Sequence, residues 1–464
     1  MGRRIKGEIE MEKSIEVLIG KAKAAQAKIL DSSQEQIDSY VRAIGKVIYE
    51  NAEVLAKEAI DETQMGRYED KVMKNKGKSK MIWRDLQGKK SVGIIKRDDE
   101  KGITYVAKPM GVVGAITPTT NPIVTPMCNA MFALKGRNSI IISPHPRAKK
   151  CSSHAVALMS EELKKLGAPD DLIQVVEEPT MELSQQLMGT VDIIIATGGM
   201  GLVKAAYSSG KPAYGVGAGN VQVIIDREYD IKQAAKDIIA GRIFDNGIIC
   251  SGEQSVIAPS EKYEEVVKEF VANGAFYIEN EGEVEAIRRA IFPNGHMNGE
   301  LVGQSVQKIA EAAGIQVPTE TKVLLVKAKG KGALDVLCKE KMCPCLIILS
   351  YDRFEEALDI AKTNLLYEGA GHTAVIHSNN KDHIEAAGLC LPVSRIVNNQ
   401  PSSTGSGGNF YNGFAPTTTL GCGSWGNNSI SENLSYKHLI NVSQIGYRKE
   451  VTQIPTDEEI WQKV

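Results

Sequence analysis

The feature that most constrains the fold is the alternation of short apolar runs with helical stretches after Pro109. The apolar runs are GVVGAITP, SIIISP, LIQVVE and VDIIIATGG, and helical stretches lie between them. Strand and helix in repetition predict a doubly wound parallel sheet. The strands end in small residues, so flexible loops lie at the carboxyl edge of the sheet, where such sheets bind ligands. We therefore predict an α/β fold whose ligand site lies at that edge.

The rest of the chain predicts four further parts. Residues from Ile15 to about Met81 repeat apolar side chains at three- and four-residue steps, which predicts a helical lead-in. The stretch SVGIIKRDDEKGITYVAKP alternates on both sides of residues 98–102 and predicts a two-stranded ribbon. A second α/β lobe begins after AGRIFDNG, with strands SVIAP, KVLLVKA, LIILS and HTAVIHS. Residues 393–426 are rich in Gly, Ser, Thr and Asn, and their aromatic residues indicate an ordered loop near a site.

Composition and charge indicate a globular protein with a small-molecule ligand. The 464 residues include 55 Lys and Arg against 57 Asp and Glu, whereas a duplex nucleic-acid binder needs a strong basic excess. This length suggests about two or three domains with a cleft between lobes. Eight cysteines are spread without the dense spacing of a secreted scaffold, and no run of about 18 apolar residues occurs. We therefore expect a cytoplasmic protein with reduced thiols, no membrane span and no nucleic-acid partner.

Two segments carry candidate catalytic side chains. In FDNGIICSGEQ, Cys250 lies between a helix and a strand among small residues that leave its sulfur open to a substrate. An exposed thiolate attacks carbonyl carbons well, although a single cysteine is most often a small buried apolar residue. In TPTTNPIVTP, Asn121 follows a strand, so its amide and a backbone N–H can hold an oxyanion. Asn-Pro is also an ordinary turn.

A glycine cluster and a cysteine cluster are the candidate ligand sites. In TGGMGLVKAA, Gly198 and Gly199 follow Thr197 and open a helix, which suits close approach of a dinucleotide pyrophosphate. The spacing is not G-x-G-x-x-G, so the ordinary Rossmann fingerprint is absent. The cysteines around KEKMCPC have the spacing C-x4-C-x-C without a second pair at zinc-site spacing, so we expect no bound metal.

Taken together and in this order, the Asn-Pro turn, the Thr-Gly-Gly loop, GVGAGN, the cysteine loop and KEKMCP resemble the aldehyde dehydrogenase superfamily over nearly the whole chain. The resemblance implies an aldehyde-dehydrogenase-like α/β fold with a Rossmann-type dinucleotide-binding domain at 1–90 and 109–245. It also implies an α/β catalytic domain at 246–426 and a small β oligomerisation element from the ribbon at 91–108 and the tail at 427–464. A homodimer or homotetramer is the expected assembly.

The GVGAGN segment indicates the branch of the superfamily. Hydrolytic members carry there a glutamate that activates the water releasing the acid, and the matching position in this chain is Gly215. Without that carboxylate, a thioester at Cys250 is better released by a thiol, which is itself a strong nucleophile. MGRYEDKV, FDNGIICS, KEKMCPC, YEGAGHTA and TTTLGCGSWGNNSISEN are similar to the CoA-dependent succinate-semialdehyde dehydrogenases. Relatives acting on acetaldehyde, butyraldehyde or sulfoacetaldehyde share these catalytic residues, whereas a non-catalytic interaction protein would not need Cys250 together with Asn121.

The resemblance implies a role for each matching residue. Cys250 attacks the aldehyde, and Asn121 with the Cys250 N–H stabilises the oxyanion before hydride passes to nicotinamide and CoA takes the acyl group. Glu340 matches the glutamate that binds the nicotinamide ribose. The predicted cofactor residues are Thr117, Pro118, Ser143, His145, Arg147, Thr197, Gly198, Gly199, Gly215 and Glu340.

The ends of the two ligands predict further contacts. At the adenosine end, SPHPRAKK lacks the acidic residue of NAD-preferring relatives, and its cations suit a 2′-phosphate, which favours NADP with some use of NAD. A solvated basic helix start explains this segment nearly as well.

A substrate carboxylate needs a cation or hydroxyl donors, and Arg395 has a better geometry for bidentate binding than Lys78. His372 activates the CoA thiol or caps a strand. The predicted substrate residues are Lys78, Ser251, His372, Arg395 and Ser402.

Overall fold

The secondary structure alternates as the apolar pattern predicts. A computed structural model describes residues 14–450 and 454–462, so the predicted domain limits at residues 1 and 464 lie outside the described residues. The α-helices are Ile15–Ala27, Gln34–Glu50, Ala52–Thr63, Tyr68–Leu86, Val124–Lys135, Lys149–Lys165, Met181–Thr190, Met200–Tyr207, Ile231–Ile243, Tyr263–Ala272, Glu281–Ile291, Val306–Ala313, Phe354–Tyr367, Lys381–Cys390, Ser402–Gly405 and Asp457–Trp461. The strands are β1 (Gly93–Asp98), β2 (Ile103–Pro109), β3 (Val112–Thr117), β4 (Ser139–Pro144), β5 (Ile173–Val175), β6 (Ile193–Thr197), β7 (Ala213–Val216), β8 (Val221–Ile225), β9 (Glu253–Pro259), β10 (Ala275–Ile278), β11 (Val323–Lys327), β12 (Cys345–Tyr351), β13 (Ala374–His377), β14 (Ile396–Asn398) and β15 (Ile440–Gly446).

The first lobe is built on a parallel five-stranded sheet in the order β5-β4-β3-β6-β7. Every residue of β3 and β4 is buried, because helices cover both faces of the sheet. Val113 packs in the apolar cluster of helix Gln34–Glu50, and its neighbour Val112 packs in the cluster of helix Ile15–Ala27. The predicted parallel sheet and the predicted helical lead-in are confirmed.

The second lobe is built on a parallel seven-stranded sheet in the order β10-β11-β12-β9-β8-β13-β14. β8 belongs to this sheet because it pairs with β9 and β13, whereas the sequence prediction extends the first domain to residue 245. The change from one sheet to the other therefore lies between Val216 and Val221. The apolar pattern does not predict β8, because VQVII follows the glycine-rich GVGAGN without a helix between them. The apolar pattern also does not predict β7 and β10, which have four residues each.

The third part is an antiparallel three-stranded sheet in the order β1-β2-β15. β1 and β2 form the predicted ribbon, in which Asp98 pairs with Ile103 across the turn. β15 pairs with β2 over its whole length, so the tail and the ribbon form one sheet. Ile94, Val442 and Ile445 are large apolar side chains that this sheet leaves exposed. A role of this sheet in oligomerisation stays a prediction.

The described part of the chain also bears on membranes and metals. None of its helices is long and apolar enough to cross a membrane. Across residues 14–450 and 454–462, no group of three or more His, Cys, Asp and Glu side chains is arranged to hold a metal ion. All eight cysteines are free thiols, and those of the C-x4-C-x-C cluster are buried.

A buried arginine joins the segments of the second lobe that meet beside Cys250. Arg242, near the end of helix Ile231–Ile243, is fully buried, and its guanidinium donates to backbone carbonyls. Nη1 donates to the Glu253 carbonyl at 2.8 Å, and Nη2 donates to the Gly247 carbonyl at 3.2 Å. Nε donates to the Cys343 carbonyl at 2.9 Å. Because the guanidinium carries five donors in one plane, it fixes the start of the cysteine turn, the start of β9 and the segment before β12.

We expect Arg242→Met to lower the free energy of unfolding by about 3 kcal/mol or more, because several buried carbonyls lose their donors. The comparison is Arg289→Met, an exposed position for which we expect a change within about 0.5 kcal/mol. Urea unfolding followed by circular dichroism measures both. Equal, small losses for the two variants would contradict a structural role of Arg242.

Candidate active site

Cys250 lies in a tight turn between helix Ile231–Ile243 and β9. The Gly252 N–H donates to the Ile249 carbonyl at 2.8 Å and closes this turn. Just before it, Asp245 and Asn246 both have a φ of 52°, in the left-handed region, which reverses the chain after the helix. The Cys250 side chain is half-buried and lines a cavity of about 690 Å³.

The walls of this cavity come from segments that are distant in the sequence. Helix Tyr68–Leu86 contributes Lys74 and Lys78, which lie on one face because they are four residues apart. Asn121 comes from the loop after β3, and the cysteine turn contributes Cys250 and Ser251. Residues 399–420 form a further wall, and helix Ile231–Ile243 contributes Gln233 and Asp237. The structure thus brings Cys250, Asn121, Ser251 and Lys78 together, and it places the glycine-rich loop at this site.

Burial keeps the Cys250 thiol protonated at neutral pH. The pKa of Cys250 is raised to about 12, first by burial and then by electrostatic interaction with the Glu340 and Cys422 side chains. The Arg395 guanidinium opposes these effects by favouring the thiolate. Attack on a carbonyl therefore requires a group that takes the proton or a cation that stabilises the thiolate.

Glu340 lies beside the cysteine turn and contacts the GVGAGN segment. Its Oε1 accepts a hydrogen bond from the Gly219 N–H at 3.1 Å. Burial and the neighbouring Glu368 carboxylate raise the pKa of Glu340 to about 8. A Cβ at Gly219 would lie 1.9 Å from the Cys250 carbonyl oxygen, so only glycine allows this segment to pass the turn so closely. Glu340 and Cys250 therefore both lie next to Gly219, and one bound ligand can contact both side chains.

Gly215 takes no part in this approach. It lies in β7, where its N–H donates to the Tyr207 hydroxyl at 2.9 Å. A Cβ there would lie 2.8 Å from Val203 Cγ1, so the glycine is required by packing against helix Met200–Tyr207. A contact of Gly215 with the cofactor stays a prediction.

Several predicted cofactor residues lie at the carboxyl edge of the five-stranded sheet. Thr117 ends β3, and its buried hydroxyl has no hydrogen-bond partner in the described part of the chain. Thr197 ends β6, and Gly199 opens helix Met200–Tyr207 with open space where a Cβ would lie. A free hydroxyl and an open helix start fit the sugar and pyrophosphate of a dinucleotide. Pro118, Ser143 and Gly198 lie at the same edge.

The predicted adenosine end lies after β4. His145 Nδ1 accepts a hydrogen bond from the Arg147 N–H at 3.1 Å and caps a short 3-10 turn, Pro146–Ala148. Burial and Arg147 lower the pKa of His145, which favours its neutral form. The Arg147 side chain is exposed and forms no ion pair with the residues that the structure describes. It is therefore free to meet an anionic group.

Lys78 is the predicted substrate residue best placed to meet a carboxylate. Its Nζ donates to the Gly407 carbonyl at 2.7 Å and pairs with no carboxylate in the described residues. Burial lowers the pKa of Lys78 to about 8.

Ser402 does not line the cavity, because its N–H donates to Glu253 Oε1 at 2.5 Å and its hydroxyl is 2.8 Å from Ser406 Oγ. Its neighbour Ser403 lines the cavity instead.

Arg395 and His372 lie on another side of the cysteine turn. Arg395 is 4% exposed and is absent from the lining of the cavity, and its Nη2 donates to the Gly421 carbonyl. The predicted bidentate contact of Arg395 with a substrate carboxylate therefore does not fit this cavity. Burial and Arg395 lower the pKa of His372 to about 3, so its imidazole is neutral. His372 Nδ1 is 3.0 Å from Thr373 Oγ1, and the buried Nε2 has no described partner.

The sequence matches one protein family over more than half of its length. A family model described as the aldehyde dehydrogenase family matches residues 8–279. The chain belongs to the aldehyde dehydrogenase family. The α/β fold with its two parallel sheets agrees with this membership, and the predicted aldehyde-dehydrogenase-like fold is confirmed.

Individual relatives of this aldehyde dehydrogenase match nearly end to end. The succinate-semialdehyde dehydrogenase (acetylating) of Clostridium kluyveri is 61% identical and covers 97% of this chain and 99% of its own. An acetylating aldehyde dehydrogenase structure from Geobacillus thermoglucosidasius matches with a TM-score of 0.91, at 39% identity over 96% of this chain and 98% of its own. A propionaldehyde dehydrogenase structure from Rhodopseudomonas palustris, with bound CoA and an acylated cysteine, matches with a TM-score of 0.84, at 29% identity over 94% and 97%.

The site of this aldehyde dehydrogenase includes residues that the sequence analysis does not predict. Lys74 and Asp245 form an ion pair at the wall of the cavity, and Glu253 holds the Ser402 backbone. Burial raises the pKa of Glu253 to about 8. The segment KNKGKSK does place two lysines four residues apart on a helix, which indicates that Lys74 and Lys78 share a face. No local pattern indicates that Asp245 meets Lys74, because 171 residues separate them.

We expect the rate of Cys250 alkylation by iodoacetamide to rise about tenfold per pH unit between about pH 7 and 10, because only the thiolate reacts and its pKa is far above that range. Quenched samples are digested and the peptides are quantified by mass spectrometry. Peptide mapping separates Cys250 from Cys390, the other partly exposed cysteine. A Cys250 rate that levels off below about pH 9 would contradict the raised pKa.

Proposed function

We propose that this aldehyde dehydrogenase interconverts succinate semialdehyde, CoA and NADP⁺ with succinyl-CoA and NADPH. The observation that carries the proposal is one cavity lined by the nucleophile Cys250, the amide of Asn121 and the ammonium of Lys78. The first two groups suit covalent catalysis on an aldehyde or thioester carbonyl, and the third suits a substrate with a terminal carboxylate. The Clostridium kluyveri relative, 61% identical, supports this choice of substrate.

The chain's own residues account for the covalent steps. In the oxidative direction the Cys250 thiolate attacks the aldehyde carbon, and the carbonyl electrons move to the oxygen, which the Asn121 amide and the Cys250 N–H stabilise. Loss of hydride from that carbon leaves an acyl thioester on Cys250, and the CoA thiolate then displaces the Cys250 thiolate. When bound, the nicotinamide accepts the hydride in this direction and donates it in the other. Thr117, Gly199 and Glu340 would hold that cofactor.

Release to CoA rather than water follows from the residues near the thioester. The position that carries a catalytic glutamate in hydrolytic relatives is Gly215, inside a strand of this structure. Without a carboxylate there, water lacks its usual base, whereas the CoA thiol is a strong nucleophile. The imidazole of His372, with its unpaired Nε2, is the group that we propose for accepting a hydrogen bond from the CoA thiol and orienting it toward the thioester.

The direct test of the substrate is a cofactor-oxidation assay with NADPH. Succinyl-CoA is compared with acetyl-CoA, butyryl-CoA and sulfoacetyl-CoA, and we expect the highest kcat/KM for succinyl-CoA. Cys250→Ala should abolish every rate above background. A rate confined to acetyl-CoA would remove the succinate assignment, although it would leave the acylating reaction in place.

We expect Lys78→Met to raise KM for succinate semialdehyde about tenfold to a hundredfold, because a charge-assisted hydrogen bond to the carboxylate is lost. KM for butyraldehyde, which has the same chain length without the charge, should change by less than about threefold. Equal effects on both aldehydes would show that Lys78 shapes the cavity and does not bind a carboxylate.

The pH dependence of KM provides a second check on Lys78. A lysine is charged below its pKa, and that of Lys78 is lowered to about 8, so its charge is lost as the pH rises through about 8. KM for succinate semialdehyde should therefore rise above about pH 8 in the wild type, whereas KM for butyraldehyde stays flat. Lys78→Arg, which stays charged, should remove this rise.

NADP preference is proposed from the exposed Arg147 at the end of β4. We expect Arg147→Ala to lower kcat/KM for NADPH about tenfold, because a charged contact to the 2′-phosphate is lost. The same variant's kcat/KM for NADH, which lacks that phosphate, is the internal control and should stay within about twofold. A parallel loss with both cofactors would contradict the proposed contact.

We also propose that the protein forms a homo-oligomer in the cytoplasm. The exposed Ile94, Val442 and Ile445 on the three-stranded sheet support a homodimer or homotetramer, since burying apolar side chains favours association. The eight free thiols support a reducing compartment, and we propose the cytoplasm.

A further inference from the structure

A lysine holds the Asn121 side chain from behind. Lys74, on helix Tyr68–Leu86, donates from Nζ to Asn121 Oδ1 at 2.7 Å. The same ammonium lies 3.4 Å from the Thr120 carbonyl oxygen. Lys74 and Asn121 both line the cavity that contains Cys250.

This contact fixes which way the amide faces. An ammonium only donates hydrogen bonds, so the atom facing Lys74 is the amide oxygen of Asn121. The amide is planar, and its Nδ2 therefore points away from the lysine. In the described part of the chain, Nδ2 donates to no other residue, and Asn121 is half-buried at the cavity wall. Nδ2 is thus free to donate to a ligand oxygen.

Lys74 is itself held by a buried carboxylate next to the cysteine turn. Asp245 is fully buried, and Oδ2 pairs with both Lys74 and Lys71, the latter at 3.1 Å. Asp245 Oδ1 accepts from the Arg67 N–H at 2.8 Å, and the Asp245 N–H donates to Asp70 Oδ2 at 2.8 Å. Because Asp245 is held on every side, it leaves the ammonium little freedom to move away from Asn121.

We propose that Lys74 is a positioning residue that orients and polarises the Asn121 amide for the oxyanion. Charge on the ammonium draws electrons toward the amide oxygen, which makes the Nδ2 hydrogens better donors. A donor fixed before the reaction needs no rearrangement when the oxyanion forms, and this is the origin of most oxyanion-site stabilisation. The inference rests on the proposed acylating reaction, in which Asn121 contacts the reacting oxygen.

The test is a double-mutant cycle on Lys74 and Asn121. We expect Lys74→Met to lower kcat for acyl-CoA reduction about tenfold to a hundredfold, with KM changed by less than about threefold, because the oxyanion forms after substrate binds. In the Asn121→Ala background the same substitution should lower kcat by no more than about twofold, since no amide remains to orient.

Two further variants separate positioning from folding. Lys76→Met removes an exposed lysine of the same helix, paired with Glu53 at 2.8 Å, and should leave kcat unchanged. Lys74→Gln keeps a donor without the charge, so its kcat should lie between those of Lys74→Met and the wild type. Thermal unfolding verifies that each variant is folded. In both Lys74 variants, Lys71 still forms an ion pair with Asp245.

Equal losses of kcat from Lys74→Met in the two backgrounds would overturn the proposal, as would an unchanged kcat in the wild-type background. The cycle is measured with whichever acyl-CoA the wild type reduces best. Failure of the succinate assignment therefore appears in the wild type alone, and failure of the positioning role appears only in the cycle.

Discussion

The geometry of the active site depends on two buried charged side chains, Arg242 and Asp245, which precede the turn that contains Cys250. Arg242 donates to the carbonyls of Gly247, Glu253 and Cys343, so the turn, β9 and the Glu340 segment keep one spacing. Asp245 ties the same turn to helix Tyr68–Leu86 through two lysines. Burying charge is costly, but each ion here is paired or hydrogen-bonded to several partners, and removing one would leave the rest unsatisfied. The nucleophile is thus fixed relative to both lobes.

This rigid frame surrounds a thiol that is poorly reactive on its own. Burial and the Glu340 carboxylate raise its pKa, while Arg395 acts in the opposite direction. The balance suits a nucleophile that becomes active when ligands bring charge and exclude water. The cavity meanwhile offers a cation, Lys78, which forms no ion pair with the described residues, and this matches a substrate that carries its own negative charge.

Sequence patterns predict the parts of this protein that depend on local chemistry. Both parallel sheets can be predicted from the sequence, because most of their strands are buried on two faces and therefore appear as continuous apolar runs, such as Ile140–Ile142 in β4. The apolar pattern does not predict β8, because this strand directly follows a glycine-rich segment. Lys78 is predicted from its charge and does line the cavity, whereas Arg395, predicted on the same grounds, is buried against the Gly421 carbonyl. The Lys74 and Asp245 pair depends on tertiary packing, which no local pattern encodes.

The central claim is that Cys250 carries the acyl group between the aldehyde and CoA. The measurement that tests it most directly is peptide mass spectrometry of the enzyme incubated with succinyl-CoA in the absence of reduced cofactor and quenched in acid. We predict a succinyl adduct on the peptide containing Cys250, released by hydroxylamine as expected for a thioester and absent from Cys250→Ser. A stable adduct on another cysteine, or NADPH oxidation by an enzyme that never acquires an adduct at Cys250, would contradict the claim.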